Sequence, residues 1–381
     1  MPAMTRDQRV DRAHGMLLLA AYADALGAPR ELDGLAGKPA NPQDHYRLLP
    51  ASSFHTADGS PWNVWPPADI TTDRLGVVTD DTEFRHLILD PYLTSCLKSQ
   101  RQPSWHGWVF WMRNFKPRTD EPSWLTSNRT AQINDWLSMA EAHQSNTTAS
   151  FYKPDTPIIF GLFTGVHLAI TIRTTAPNPI YDRLSRWCPL DQGHAPIITA
   201  LWACLIAEAA QTHDWSLITL ADHASSLTQN LDTPATVQHA SRIAHDLGSD
   251  TQTSDHDFID QFTNRIYLSS DLNLNPEPAD RNFDPLYLWT QLIACAAQAR
   301  YPRHLLSLLV SLPGDTDTVA SLAGLIIGAG LGYQQLINQT ADGWGADLKA
   351  VETYLHDILN IDLQQSAAQL VDLIPPGTIT A

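Results

Sequence analysis

No stretch of the 381 residues approaches the roughly 20 uninterrupted apolar positions of a membrane-spanning helix, so no membrane partner is expected. Cysteine is scarce. Cys96, Cys188, Cys204 and Cys295 are widely scattered and form neither a CxxC pair nor a zinc-ligand spacing. Cys204 and Cys295 stand in apolar, helical-looking runs that suit buried reduced thiols; no disulfide and a reducing, cytoplasmic setting are expected. Basic residues are also few, 24 Lys and Arg against 41 Asp and Glu, for a formal charge of -17. That balance argues against direct binding to a nucleic-acid backbone, which needs clustered cations. The chain has no GxSxG elbow, Walker loop, GxGxxG turn or HExxH helix. Most nucleophilic hydrolases, nucleoside triphosphatases, dinucleotide-binding enzymes and zincins are thereby set aside. The opening MPAMTRDQRVDRAHG mixes both charges, and the apolar run after it carries Asp24 and no cleavage site, so a secretory leader is not expected.

What is present is helical periodicity. Hydrophobic residues make up 43% of the chain, enough for a sizeable core. Apolar residues recur at three and four spacings, as in Ile198, Leu201, Leu205 and Ala209, and strand-type alternation nowhere persists. Helices are predicted at about 8–27, 80–97, 129–143, 192–212, 216–228, 235–246, 256–268, 283–310, 316–337 and 345–370. The expected fold is all-α, a compact orthogonal multi-helix bundle forming one domain over 1–381. Long connections are expected at 31–75, 98–128 and 144–157. The first two carry Trp62, Trp65, Trp105, Trp108, Trp111 and Trp124. Such rings either stack on a flat ligand at a cleft edge or pack the connections onto the body, and packing is the commoner fate.

Two acidic runs lie far apart in the chain: Thr79-Asp80-Asp81-Thr82-Glu83 and Gly314-Asp315-Thr316-Asp317-Thr318. Both read as turns that open helices. Oxygen-only ligands of this kind suit magnesium, manganese or calcium. Converging carboxylates repel and raise one another's pKa unless a cation neutralises them. Either run alone also reads as a helix cap, since Asp and Thr are preferred N-cap residues. A third run, residues 11–31, is an apolar helix with Asp24, a Gly27-Ala28-Pro29 break and Glu31. On periodicity alone it is a core helix stopped by Gly27.

In this order the three runs resemble the ADP-ribosylglycohydrolase family, which includes the dinitrogenase-reductase-activating glycohydrolases. The matching elements are Gly15 through Asp24-Ala25-Leu26-Gly27-Ala28-Pro29 with Glu31, then Val78-Thr79-Asp80-Asp81-Thr82-Glu83, then Gly314-Asp315-Thr316-Asp317-Thr318 with the small-residue helix Val319 to Gly332. The resemblance implies an all-helical fold with two Mg2+ ions, or Mn2+ in their place, in a central cleft. It implies Thr79, Asp80, Asp81, Asp315, Asp317 and Thr318 as metal ligands, with Glu31 nearby. Glu31, Asp80 and Asp315 become the candidate catalytic residues.

The match thins in the middle. Many members carry Gly-Asn-Gly followed by Met-Arg, where this chain has Gly161-Leu162-Phe163-Thr164-Gly165 and then Ile172-Arg173, and Pro313 replaces a usual glycine. Arg173 and His194 are the candidate substrate contacts, although a lone histidine at a helix start is more often structural. Asp255-His256-Asp257 reads as an exposed helix entry.

The expected activity is magnesium-dependent hydrolysis of the glycosidic bond in an ADP-ribosylated protein or another ADP-ribose conjugate. Two rival readings keep the fold. One is a catalytically inactive binding or immunity protein, and the other a related metal-dependent glycosidase on a sugar conjugate without ADP-ribose. Partner binding without hydrolysis separates the first rival, and calorimetry with ADP-ribose the second.

Overall fold

The computed structural model describes residues 4–50, 73–116, 122–145, 161–162, 165–171, 177–187, 193–212, 215–230, 233–250, 252–269, 272, 274, 281–338 and 344–373. Among these residues there is no strand, and the fold is all-α. Helices α1 (Arg6–Gly27), α2 (Glu31–Leu35) and α3 (Asp80–Glu83) come first. A π-helical stretch, Phe84–Leu89, then joins α3 to α4 (Asp90–Lys98). Next come α5 (Trp105–Arg113), α6 (Ser123–Ser145), α7 (Pro177–Trp187), α8 (Ala195–Gln211), α9 (Leu220–Asn230), α10 (Ala235–Gly248) and α11 (Asp255–Phe262). The chain closes with α12 (Pro285–Gln298), α13 (Pro302–Leu309), α14 (Thr316–Leu331), α15 (Tyr333–Ile337), α16 (Trp344–Leu359) and α17 (Leu363–Asp372).

The centre of the bundle is the pair α1 and α14. From Ala13 onward α1 is buried, and α14 is buried along its whole length. A helix that is apolar all round has no solvent face and belongs in the core. The two backbones touch because small residues line the seam. A Cβ added at Gly324 would lie 2.5 Å from Leu19 O, one at Gly328 2.2 Å from Gly15 O, and one at Gly15 2.5 Å from the Gly332 carbonyl carbon. Gly324 and Gly328 are four apart, so they share a face. This contact ends at the two chain segments that carry Glu31 and the Asp315–Thr318 run.

Several predicted helices are divided. The span 283–310 is two helices, because α12 ends at Gln298 and Pro302 starts α13 at a position where its missing N–H costs nothing. The span 316–337 breaks at Gly332, whose φ of 78° suits glycine. The span 345–370 breaks at Asn360, with φ 55°, after which Asp362 caps α17 by accepting from Gln365 N at 2.9 Å. Conversely, 98–128 is no structureless connection. It holds α5 and the start of α6, because Ser104 caps α5 (3.2 Å from Gly107 N) and Trp105, Trp108, Val109 and Met112 form an apolar stripe. Helix α7 also forms where the apolar spacing predicts no helix. Residues 51–72, with Trp62 and Trp65, and 146–157 lie outside the described residues.

The described tryptophans of the 98–128 span pack onto the body. Trp105 and Trp108 are buried, and Trp108 lies within 6.1 Å, centroid to centroid, of Phe84, Trp136 and Trp187. This cluster supports the π-helical stretch from behind. Cys96, Cys204 and Cys295 are buried free thiols, and burial pushes Cys204 up to about 12. Cys188 lies outside the described residues. Among the described residues no helix is long and apolar enough to cross a membrane.

Candidate metal centre

The turn before α14 is pinned from three sides. Gly314 N donates to Gly34 O at 2.8 Å, Thr316 Oγ1 donates to Gly27 O at 3.0 Å, and the Pro313 carbonyl accepts from Gln291 Nε2 at 3.0 Å and from the Tyr287 hydroxyl. Gly314 has φ 122°, a conformation that side chains with a Cβ rarely adopt. These contacts bring Asp315 and Asp317 to the end of α1, beside the first residue of α2.

That residue is Glu31. One carboxylate oxygen from each of Glu31, Asp315 and Asp317 lies within 4.8 Å of the others, and all three residues are buried. The second acidic run closes on the same place. Thr318 Oγ1 donates to Asp81 Oδ2 at 2.7 Å, and Thr79 Oγ1 stands 3.0 Å from Asp317 Oδ2. Sequence separations of 237 and 238 residues collapse to hydrogen-bond length.

The capping alternative fails on geometry. Thr79 and Asp315 occupy the N-cap positions of α3 and α14, but neither side chain caps its helix. Thr79 instead turns to Asp24 and Asp317. Asp80 is the half-exposed member of the group and adds negative potential at Asp81, Glu83 and Asp315.

Asp24 organises the first run from beneath and was given no role on sequence. Fully buried, its carboxylate stands 2.5 Å from Thr79 Oγ1, 3.1 Å from Thr79 N and 3.1 Å from Thr82 N. Burial pushes it up to about 6 against the pull of those donors. The one available signal was an acid placed alone in an otherwise apolar helix.

Electrostatically the centre is dominated by negative charge. Burial raises Asp315 and Asp317 well above the carboxylate range, with Asp317 adding to the first effect and Glu31 to the second. Asp81 is raised by burial too, opposed by the Arg85 guanidinium 3.6 Å from its Oδ1. Glu83, with no exposed surface and no hydrogen-bond partner on either oxygen, is raised by burial and then by Asp80. Neither Glu83 nor Arg85 was assigned a role from sequence, although Arg85 follows Asp81 at the i+4 spacing that puts two side chains on one face. Three buried carboxylates that converge within 4.8 Å of one another fit a hard divalent ion, whose charge offsets their repulsion and whose ligands are oxygens.

Other candidates lie apart from this constellation or outside the described residues. His194, half-buried ahead of α8, faces Thr236 Oγ1 at 3.4 Å. Arg173 lies outside the described residues. A cavity of about 660 Å³ lined by His86, Asp90, Trp111 and Arg129 contains none of the clustered carboxylates, so its size does not make it the centre of the chemistry.

The model of the ADP-ribosylglycohydrolase family matches residues 4–372 of this chain. No curated protein matches it. Among solved structures, an "ADP-ribosylglycohydrolase-related protein complex" is similar over 96% of this chain and 99% of its own, with a TM-score of 0.52 at 16% identity, a likeness of fold alone. The match spans every described helix and both acidic runs, and the chain belongs to the ADP-ribosylglycohydrolase family.

Proposed function

We propose that this protein is a divalent-cation-dependent hydrolase of the glycosidic bond linking ADP-ribose to a protein side chain or a small acceptor, working in a reducing, cytoplasmic setting. The observation that carries the reading is the buried convergence of Glu31, Asp315 and Asp317, with Asp81 joined to them through Thr318. On this reading Glu31, Asp315, Asp317 and Asp81 hold magnesium, or manganese in its place, with Thr79, Asp80 and Thr318 completing the ligand set. An ion held there would supply Lewis-acid chemistry, polarising substrate oxygens and lowering the pKa of a bound water.

The remaining work falls to this chain's own side chains. Glu31 takes the proton of the attacking water or returns it to the leaving group, the role a positioned carboxylate fills in general acid–base catalysis. Asp80, half-exposed, exchanges that proton with solvent, and Asp315 orients the water. Asp24 holds Thr79 and the start of α3 in register, which keeps Asp81 against Thr318. The buried seam of α1 and α14 keeps these groups from spreading apart under their mutual repulsion.

The test is turnover of arginine-linked and serine-linked ADP-ribosyl peptides with magnesium or with EDTA, for the parent and for Asp317→Ala. The variant is expected to lose both manganese binding and turnover while keeping its helical circular dichroism. Turnover by Asp317→Ala at saturating magnesium would overturn the assignment.

A further inference from the structure

The acidic centre has two unlike halves. Around Asp317 the strongest charges among the described residues are Glu31, Asp81 and Asp24, all negative. Around Asp81 the strongest is Arg85, positive. Arg85 is 2% exposed, on the π-helical stretch Phe84–Leu89. Its Nη1 donates to Ser321 Oγ on α14 at 2.7 Å, and its Nη2 stands 3.6 Å from Asp81 Oδ1. Neither Nη2 nor Asp81 Oδ1 has a hydrogen-bond partner, and both are buried. The other Asp81 oxygen is taken by the Thr318 hydroxyl.

A buried guanidinium is always charged and does not leave such a site by losing a proton. A carboxylate facing it is already neutralised, so a second cation on the same carboxylate gains little and meets like charge in a poorly screened interior. Arginine at this point is placed with care. Residue 85 lies on the π-helical turn, and buried Ser321 of α14 holds the head group in place. Surplus turns of this kind are frequent at functional sites.

Resting on the reading of the centre as a cation site, and narrowing the ligand set given above, we infer that Arg85 is a resident cation in place of one of two ions: the protein binds one divalent ion tightly, at Glu31, Asp315 and Asp317, and Asp81 is held by the guanidinium. The centre is then functionally mononuclear. Arg85 is a positioning residue in this scheme, acting through Asp81.

Manganese alone is the probe, titrated into the full chain by calorimetry, with electron paramagnetic resonance reporting whether bound ions are isolated or spin-coupled. The parent is expected to take one ion with an uncoupled spectrum, any second ion binding at least roughly 100-fold more weakly because of the like charge beside it. Arg85→Met, which keeps volume and removes charge, is expected to tighten the second ion by about 10-fold or more and to produce a coupled spectrum. Arg85→Lys, which keeps the charge, is expected to behave as the parent. Two ions of comparable affinity and a coupled spectrum in the parent would overturn the inference while leaving the cation reading standing. That measurement needs no variant to fold. Absence of manganese binding in the parent would overturn both.

Discussion

Gly27→Ala places a single methyl group between α1 and the acidic turn. A Cβ there would lie 2.5 Å from Asp317 Cα, 2.6 Å from Asp317 N and 2.7 Å from Thr316 O. All three are backbone atoms, so no side chain can swing aside. Carbon atoms rest about 3.5 Å or more apart, which requires the α14 entrance to retreat by roughly 1 Å. Overpacking of this size costs about 1–3 kcal/mol, against a gain of up to about 1 kcal/mol from alanine's better helix propensity. Stability should therefore fall by about 1–2 kcal/mol in urea unfolding with EDTA present. Function should suffer more, because the displaced residue is itself a proposed ligand. Disturbing the support of a metal ligand costs about 10–100-fold in affinity, measured as manganese binding by calorimetry. Gly324→Ala is the control. Its Cβ would meet Leu19 O at 2.5 Å and Ala20 Cα at 2.8 Å, an equal crowding two turns further along α14. It should lose similar stability and keep manganese affinity within about threefold, since the strain arises roughly 10 Å from Asp317 along the helix. Parent-like manganese affinity in Gly27→Ala, or an equal loss in Gly324→Ala, would refute the claim that this contact sets the ligand geometry.

Asp24→Ala strands the Thr79 hydroxyl and the Thr79 and Thr82 amides without their buried acceptor, and should cost about 3–5 kcal/mol in urea unfolding. A loss below about 1 kcal/mol would mean that water replaces the carboxylate easily. Glu83→Gln probes the carboxyl with no exposed surface and no partner. Its folded pKa lies above its unfolded value near 4.5, so the folded state binds the extra proton and loses stability as pH rises from that value toward the folded pKa. The variant, which cannot ionise, should become progressively more stable than the parent above pH 4.5 in EDTA, by up to about 1.4 kcal/mol per pH unit. Parallel stability curves for the two proteins across pH 5 to 9 would exclude this burden.

Legibility differed between the elements and the site. Periodic apolar spacing is a local property, so the all-α class and the position of helices such as α1, α8 and α10 could be read directly. Breaks were harder. Pro302 and Gly332 interrupt runs whose apolar pattern continues across the break, and periodicity alone passes over them. Helix α5 was hidden because its stripe is built from tryptophans, which suggested a ligand-stacking connection as readily as a packed helix. Asp24 and Arg85 escaped assignment for a different reason. A buried charge is explained only by what faces it, and their partners lie up to 236 positions away in the chain.

From the residues alone came the chemistry: oxygen ligands in two short runs, too few cations to compensate them, and a small-residue helix behind the second run. Folding decided which oxygens meet. Only when glycines let α1 and α14 touch backbone to backbone do Glu31, Asp315 and Asp317 come within 4.8 Å of one another. Only then is Arg85 seen to stand against Asp81 rather than solvent. Donor type is written in each side chain, whereas coordination depends on distances of a few ångströms between segments hundreds of residues apart, and close packing alone sets those.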